Sequence, residues 1–462
     1  MNPSSFASLS LNPELISNLA TLAYTEMTPI QAQSLPHILA GKDVIAQGKT
    51  GSGKTAAFGL GLLEKLNVKR FRIQALVLCP TRELADQVAN ELRKLARTIH
   101  NIKILTLCGG VPFGPQVGSL EHGAHIIVGT PGRIDDHLRK NTLKLDTVNT
   151  LVLDEADRML AMGFQDTLDA IIAQVPPQRQ TLLFSATFPK QIQSIARRIM
   201  KQPIMVQVDS GHDNDSIQQH FYKVTDDRQR MTAVRLLLMK YRPVSTLVFC
   251  NTKKETQEVA DELIRHGFSA LALHGDLDQR DRDQTLIRFT NKSASVLVAT
   301  DVAARGLDID ALDAVINYQI ARDAEVHVHR IGRTGRAGNK GVACSLYNDK
   351  ESYKLALLNV EIDPIIGSEA LPSLSLLDKP VTPPAMHTLQ IDGGKKQKVR
   401  AGDILGALTG ENGIEGSQVG KIYLADNWAY VAVSREVMKP ALKKLGEGKL
   451  KGRSFRVRLI HN

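Results

Sequence analysis

Hydrophobic and polar positions along this chain follow two rhythms. Short apolar runs stand at Asp43–Ala46, Ala75–Cys79, Ile104–Leu107, Ile126–Val128, Leu151–Leu153 and Thr181–Phe184. Between them lie longer stretches of helical period. Arg82–Arg97, for example, places Leu84, Val88, Leu92 and Leu95 on one face, as an amphipathic helix does. Continuous apolar strands alternating with such helices predict a parallel sheet covered on both faces. A polar stretch rich in Asp and Asn, Asp209–Ser216, predicts a linker. The alternation then resumes at Leu247–Cys250, Ala270–Leu273, Val296–Ala299, Val315–Tyr318 and Val342–Leu346, and breaks again over Glu369–Pro384, where four prolines fall.

A different order follows that break: strand Leu389–Ile391, helix Arg400–Leu408, strands Val419–Ala425 and Trp428–Val433, helix Glu436–Leu445 and strand Phe455–Leu459. The chain therefore divides into two α/β units, 1–209 and 216–368, and a small α+β unit, 385–462. The 462 residues are too many for one core.

Composition sharpens this only at one end. The 43% apolar and 23% charged residues are ordinary for a globular chain, and no apolar run reaches membrane-spanning length. No Lys or Arg precedes Lys42, so the basic start of a secretory signal is missing. Cys79, Cys108, Cys250 and Cys344 form no CxxC pair and lie mostly in apolar runs, which predicts buried thiols in a cytoplasmic protein. The net charge of +10 is uneven: from Pro380 onward fourteen Lys and Arg face seven Asp and Glu. A basic terminal unit predicts a polyanionic partner, most simply nucleic acid.

The chemistry begins at Gly48-Lys49-Thr50-Gly51-Ser52-Gly53-Lys54-Thr55, a P-loop. Its glycines let backbone N–H groups curl around phosphate, Lys54 reaches the β/γ oxygens, and the Thr55 hydroxyl can hold Mg2+. The run Leu151–Leu153 delivers Asp154-Glu155-Ala156-Asp157 to a strand end. One carboxylate there, Asp154, can hold the metal while its neighbour, Glu155, orients water. The pair predicts an NTP hydrolase.

Further segments fall where ligand loops belong in such sheets. They are Thr28-Pro-Ile-Gln31, Pro80-Thr-Arg-Glu-Leu-Ala85, Gly109-Gly110, Thr130-Pro-Gly-Arg133 and Ser185-Ala-Thr187, then Gln279-Arg-Asp-Arg282, Ala299–Asp308 and His329-Arg-Ile-Gly-Arg-Thr-Gly-Arg336. In this order, from about Phe6 to Tyr347, they resemble the DEAD-box ATP-dependent RNA helicases. That resemblance implies two tandem RecA-like domains closing over ATP and single-stranded RNA. It assigns the adenine to Gln31 and Tyr24, with Phe6 in support, the phosphates to residues 48–55, and Mg2+ to Thr55 and Asp154. Glu155 becomes the general base, Asp308 the ribose contact, and Arg333 and Arg336 the arginine fingers. Ser185 and Thr187 would link the metal site to the RNA side. RNA contacts fall to Thr81, Arg82, Gly110, Thr130, Arg133, Arg282, Thr300 and Gly306.

The last unit resembles an RNA-recognition motif, with Trp428 and Tyr430 on one sheet face where they could stack bases. Asp426, Gln390 and Val433 depart from that motif, which moves weight onto basic loops such as Lys395 and Lys396. The Gly393-Gly394-Lys395-Lys396 turn and the Gly402–Leu408 helix are similar to the bacterial DbpA group. That likeness implies a helicase addressed to 23S ribosomal RNA on a pre-ribosomal particle. The same closure would equally serve an ATP-gated RNA clamp or RNA chaperone that does not unwind.

Overall fold

The computed structural model describes residues 5–48, 51–208, 217–304, 312–335, 341–358 and 369–460. They form two compact units, the first holding the described residues up to 208 and the second those from 217 onward.

The first unit holds β1 (Val44–Gln47), β2 (Ala75–Leu78), β3 (Ile104–Leu107), β4 (Ile126–Gly129), β5 (Thr150–Asp154), β6 (Gln180–Ser185) and β7 (Ile204–Gln207). They form one parallel sheet in the order β3-β4-β2-β5-β6-β1-β7. Strand pleating sends neighbours to opposite faces: Val77, Val128, Val152 and Leu182 join one core, while Leu76, Ile127, Leu151 and Leu183 join another. Both faces are covered, which is why these strands read as unbroken apolar runs.

The second unit repeats the plan with β8 (Ile217–Lys223), β9 (Thr246–Cys250), β10 (Ala270–Leu273), β11 (Val296–Thr300), β12 (Ala314–Asn317) and β13 (Gly341–Tyr347). Their parallel order is β10-β11-β9-β12-β13-β8. Local chemistry repeats too. Thr81 after β2 and Thr252 after β9 each cap the next helix, accepting from Leu84 N at 3.3 Å and Glu255 N at 3.2 Å. Sequence pattern missed β7 and β8. Both are edge strands with exposed positions, and β8 reads Ile-Gln-Gln-His-Phe-Tyr-Lys, without a continuous apolar run.

The same unit also contains an antiparallel sheet, β15-β16-β14-β17, from β14 (Met386–Ile391), β15 (Val419–Leu424), β16 (Ala429–Ser434) and β17 (Val457–Leu459). Helices Ala401–Thr409 and Met438–Glu447 complete the βαββαβ order. Leu389, Ile391, Ala429, Val431 and Val433 pack toward those helices. The opposite face is covered as well. Thr388 Oγ1 meets Asn291 Nδ2 at 3.2 Å and Ser293 Oγ at 2.7 Å, and the Arg280 guanidinium lies 5.2 Å from the Trp428 ring centre.

All four cysteines are buried free thiols. Among the described residues no helix is long and apolar enough to cross a membrane.

Candidate functional site

Strand order explains how scattered motifs become sites. β5, β6 and β1 are neighbours, so their carboxyl ends bring together Asp154, Ser185 and the P-loop. β3, β4 and β2 form the other half of the sheet, and their ends carry Gly110, Thr130 and Thr81. One sheet edge thus holds the phosphate chemistry in one half and the segments assigned to RNA in the other.

The P-loop backbone is set by glycine. Gly51 and Gly53 have φ of +83° and +91°, and a Cβ on Gly53 would lie 2.5 Å from Gln31 Nε2. Gln31 Nε2 donates to Gly53 O at 3.0 Å, and Thr28 Oγ1 donates to Ser52 O at 2.7 Å. Gln31 Oε1 accepts from Thr28 N at 2.9 Å, and the residue is 1% exposed. Both ends of its amide are therefore anchored to the protein, each by one bond, which fixes the amide plane and leaves one N–H and one oxygen lone pair for a further contact. Lys54 opens helix Lys54–Lys65, whose N-terminus suits an anion. Its Nζ donates to Gly48 O at 2.7 Å. Thr55 follows, half-buried. Lys49 and Thr50 lie outside the described residues.

Asp154 is 3% exposed, and its Oδ1 has no hydrogen-bond partner. Burial pushes its carboxyl up to about 7, against the pull of the Lys54 ammonium and with Glu155 adding to the rise. A buried carboxylate oxygen without a hydrogen-bond partner suits a cation. Among the described residues no three His, Cys, Asp or Glu side chains converge on a metal site. One carboxylate and the Thr55 hydroxyl, completed by phosphate oxygens, is a donor set that suits Mg2+ rather than an all-protein cage.

Glu155 adopts φ 53°, ψ 49° at the N-cap of helix Ala156–Ala161. Arg158 Nη1 donates to its Oε2 at 2.8 Å. Asp157 Oδ2 accepts from Thr187 N at 3.0 Å and Thr187 Oγ1 at 2.9 Å, and Asp157 N reaches Ser185 Oγ at 3.4 Å. Gly48 N in turn donates to Ser185 O at 3.0 Å. The Ser185-Ala-Thr187 segment therefore ties the P-loop to the acidic quartet. Asp157 and Arg158 were not singled out from sequence, although a third acid in the quartet was a visible sign.

Tyr24 stands edge-on to Phe6 with ring centres 6.4 Å apart. Its hydroxyl donates to Glu91 at 2.6 Å; burial, then that bond, push the phenol well above its ordinary range. Near the RNA-assigned loops, Gly110 has φ +75°. Arg133 Nη2 donates to Val111 O at 3.0 Å, and Arg82 pairs with Asp86 at 3.7 Å.

In the second unit Arg282 Nη2 donates to Ala303 O at 2.8 Å, and Thr300 ends β11 at 9% exposure. Arg333 is 4% exposed. Arg330, not singled out from sequence, proves to be a structural hub: its Nε and Nη2 fork onto Asp301 at 2.6 and 2.8 Å. Gly306, Asp308 and Arg336 lie outside the described residues.

One expectation is corrected. Tyr430 is 2% exposed, on the sheet face that Asn291, Ser293 and Arg280 cover, so it is not available to stack a base. Trp428 is half-buried beneath Arg280. Gln390, where the motif favours an aromatic, is 1% exposed on the same covered face. Lys395 and Lys396 are exposed.

Comparison with known proteins accords with this layout. Residues 28–195 match the DEAD/DEAH box helicase family, 229–338 the helicase conserved C-terminal domain, and 388–459 the DbpA RNA binding domain. The chain is 54% identical over 450 residues to the ATP-dependent RNA helicase DbpA of Escherichia coli K12, covering 97% of this chain and 98% of that one. It is 45% identical over 350 residues to the DEAD-box ATP-dependent RNA helicase CshA of Bacillus subtilis, covering 76% and 71%. Among solved structures it resembles Saccharomyces cerevisiae Dbp5 bound to RNA and ADP BeF3, with TM-score 0.68, 31% identity and coverage of 78% and 94%. The chain belongs to the DEAD-box ATP-dependent RNA helicases, and within them to the DbpA type, ATP hydrolases that act on RNA.

Proposed function

We propose that this helicase hydrolyses Mg2+-ATP to open short duplexes locally in ribosomal RNA, within 23S RNA of a maturing large subunit in the cytoplasm. The observation that carries the enzymatic part is the split sheet edge, with phosphate chemistry at β5-β6-β1 and RNA-assigned loops at β3-β4-β2. The RNA address rests on the likeness of the basic terminal domain to the DbpA RNA binding domain. Four buried thiols agree with a reducing compartment.

Thr55 and Asp154 would hold Mg2+, which neutralises phosphate charge when bound. Lys54 and the helix N-terminus behind it bind the phosphates. Glu155 orients the attacking water and takes its proton. Arg333 and Arg336 neutralise charge on the transferred phosphoryl group, a contribution worth roughly 10³–10⁵ in rate. Phosphoryl transfer asks for little covalent help, so these positioned charges account for most of the catalysis. Contacts to the phosphodiester backbone carry no base identity. The core motifs therefore grip RNA of any sequence, and selection falls to the terminal domain through exposed basic loops such as Lys395 and Lys396.

The test is strand displacement on a short duplex beside a ribosomal hairpin, with matched RNA and DNA, and Lys54→Ala as control. ATP turnover and strand release should both depend on RNA and vanish in the variant. Fast turnover without strand release would instead identify an ATP-gated clamp, and equal stimulation by DNA would defeat the RNA assignment.

A further inference from the structure

A carboxylate that must receive a proton from one water works only if its orientation is fixed. Glu155 reaches its place through a left-handed backbone, φ 53° and ψ 49°, that side chains rarely adopt. This turn starts the helix, and three residues on Arg158 Nη1 meets Glu155 Oε2 at 2.8 Å. Both side chains are 6% exposed. On a helix surface such an i, i+3 pair would contribute little. Buried, it must offset the loss of hydration of two charges, and it does so only through well-placed hydrogen bonds.

The surroundings supply that placement. Arg158 N donates to Asp157 Oδ1 at 3.0 Å, and Asp157 Oδ2 is held by both Thr187 donors. The turn carrying Arg158 is thus pinned to the loop after β6, beside the P-loop. The guanidinium engages Oε2, so the other carboxylate oxygen, Oε1, is the one left for the water-directed role.

We propose that Arg158 is a positioning residue for hydrolysis, holding Glu155 Oε2 so that Oε1 faces the attacking water. This rests on the assignment of Glu155 to that water. Arg158 itself exchanges no proton and touches no phosphate; its effect passes entirely through Glu155.

The experiment uses the full chain with Arg158→Gln, Arg158→Lys and Arg158→Ala, alone and combined with Glu155→Gln. Measurements are kcat and KM for ATP at saturating RNA, affinity for a fluorescent ATP analogue, and melting temperature. We expect Arg158→Gln to lower kcat by about tenfold or more while KM and analogue affinity stay within about twofold. Lys should restore part of the rate, and removing Arg158 from the Glu155→Gln background should cost nothing further. Wild-type kcat in Arg158→Gln overturns the proposal. So does a joint fall of turnover, nucleotide affinity and melting temperature, the mark of a merely structural pair. If the Ala variant does not fold, the Gln and Lys variants decide. Wild-type turnover in Glu155→Gln alone would remove the underlying assignment instead, so the two failures are distinguishable.

Discussion

At the scale of single residues, burial decides what each group can do. Asp154 and Gln31 were recognisable as motif letters, but only the fold shows one with an orphaned oxygen and the other with both amide ends engaged. His327 makes the same point outside the site. It is 4% exposed, its Nε2 meets Gln219 at 3.0 Å, and its Nδ1 has no partner. Burial, then the Arg330 charge, lower its pKa from 6.5 to about 4. Between those values the unfolded chain takes up a proton that the folded chain refuses. Stability therefore rises with pH through that window, and as pH falls the fold loses on the order of 3 kcal/mol. His327→Gln, which cannot charge, should show a smaller drop in urea midpoint between about pH 7 and 4.5. A drop equal to that of the parent chain would remove His327 from the account.

Elements follow from periodicity where both sheet faces are covered, and fail where they are not. The buried strands β1, β2, β4, β5, β6 and β9 to β13 were legible as apolar runs, because a strand packed on both sides can afford few polar positions. Edge strands β7 and β8 carry exposed positions and lost that pattern. Turns were legible through glycine. Gly53 holds φ +91° and leaves no room for a Cβ beside Gln31 and Thr28. Gly53→Ala should therefore strain the P-loop, costing about 1–2 kcal/mol in backbone terms and weakening nucleotide binding about tenfold or more. Titration with a fluorescent nucleotide checks this, and unchanged affinity would mean that the loop relaxes without loss.

On the scale of the whole molecule, the terminal domain is the element whose use changed most between sequence and structure. Its order of strands and helices was readable, yet the face carrying Tyr430 is covered within its own compact unit. Deleting residues 385–462 keeps Leu376 and Leu377 packed in the second core and removes the basic sheet domain. The shortened chain should remain an RNA-stimulated ATPase, weaker and without preference for a ribosomal fragment over unrelated RNA of equal length. Stimulation curves for the two RNAs measure this, and an unchanged preference would take the addressing role away from that domain.

Sequence alone determined the enzyme class. Phosphate cradles, strand-end carboxylates and guanidiniums act through residue type and short spacing, and short spacing survives in one dimension. It also determined the covered sheets, since burial on both faces forces continuous apolar runs. Tertiary structure alone decided which strands became neighbours, and so that the P-loop and the loops assigned to RNA by resemblance occupy two halves of one edge. Only it could pair Glu155 with Arg158 inside the protein, expose Lys395 and hide Tyr430. Those outcomes depend on what packs over each surface, and the covering elements come from parts of the chain far away in sequence, even where the pair itself is only three residues apart.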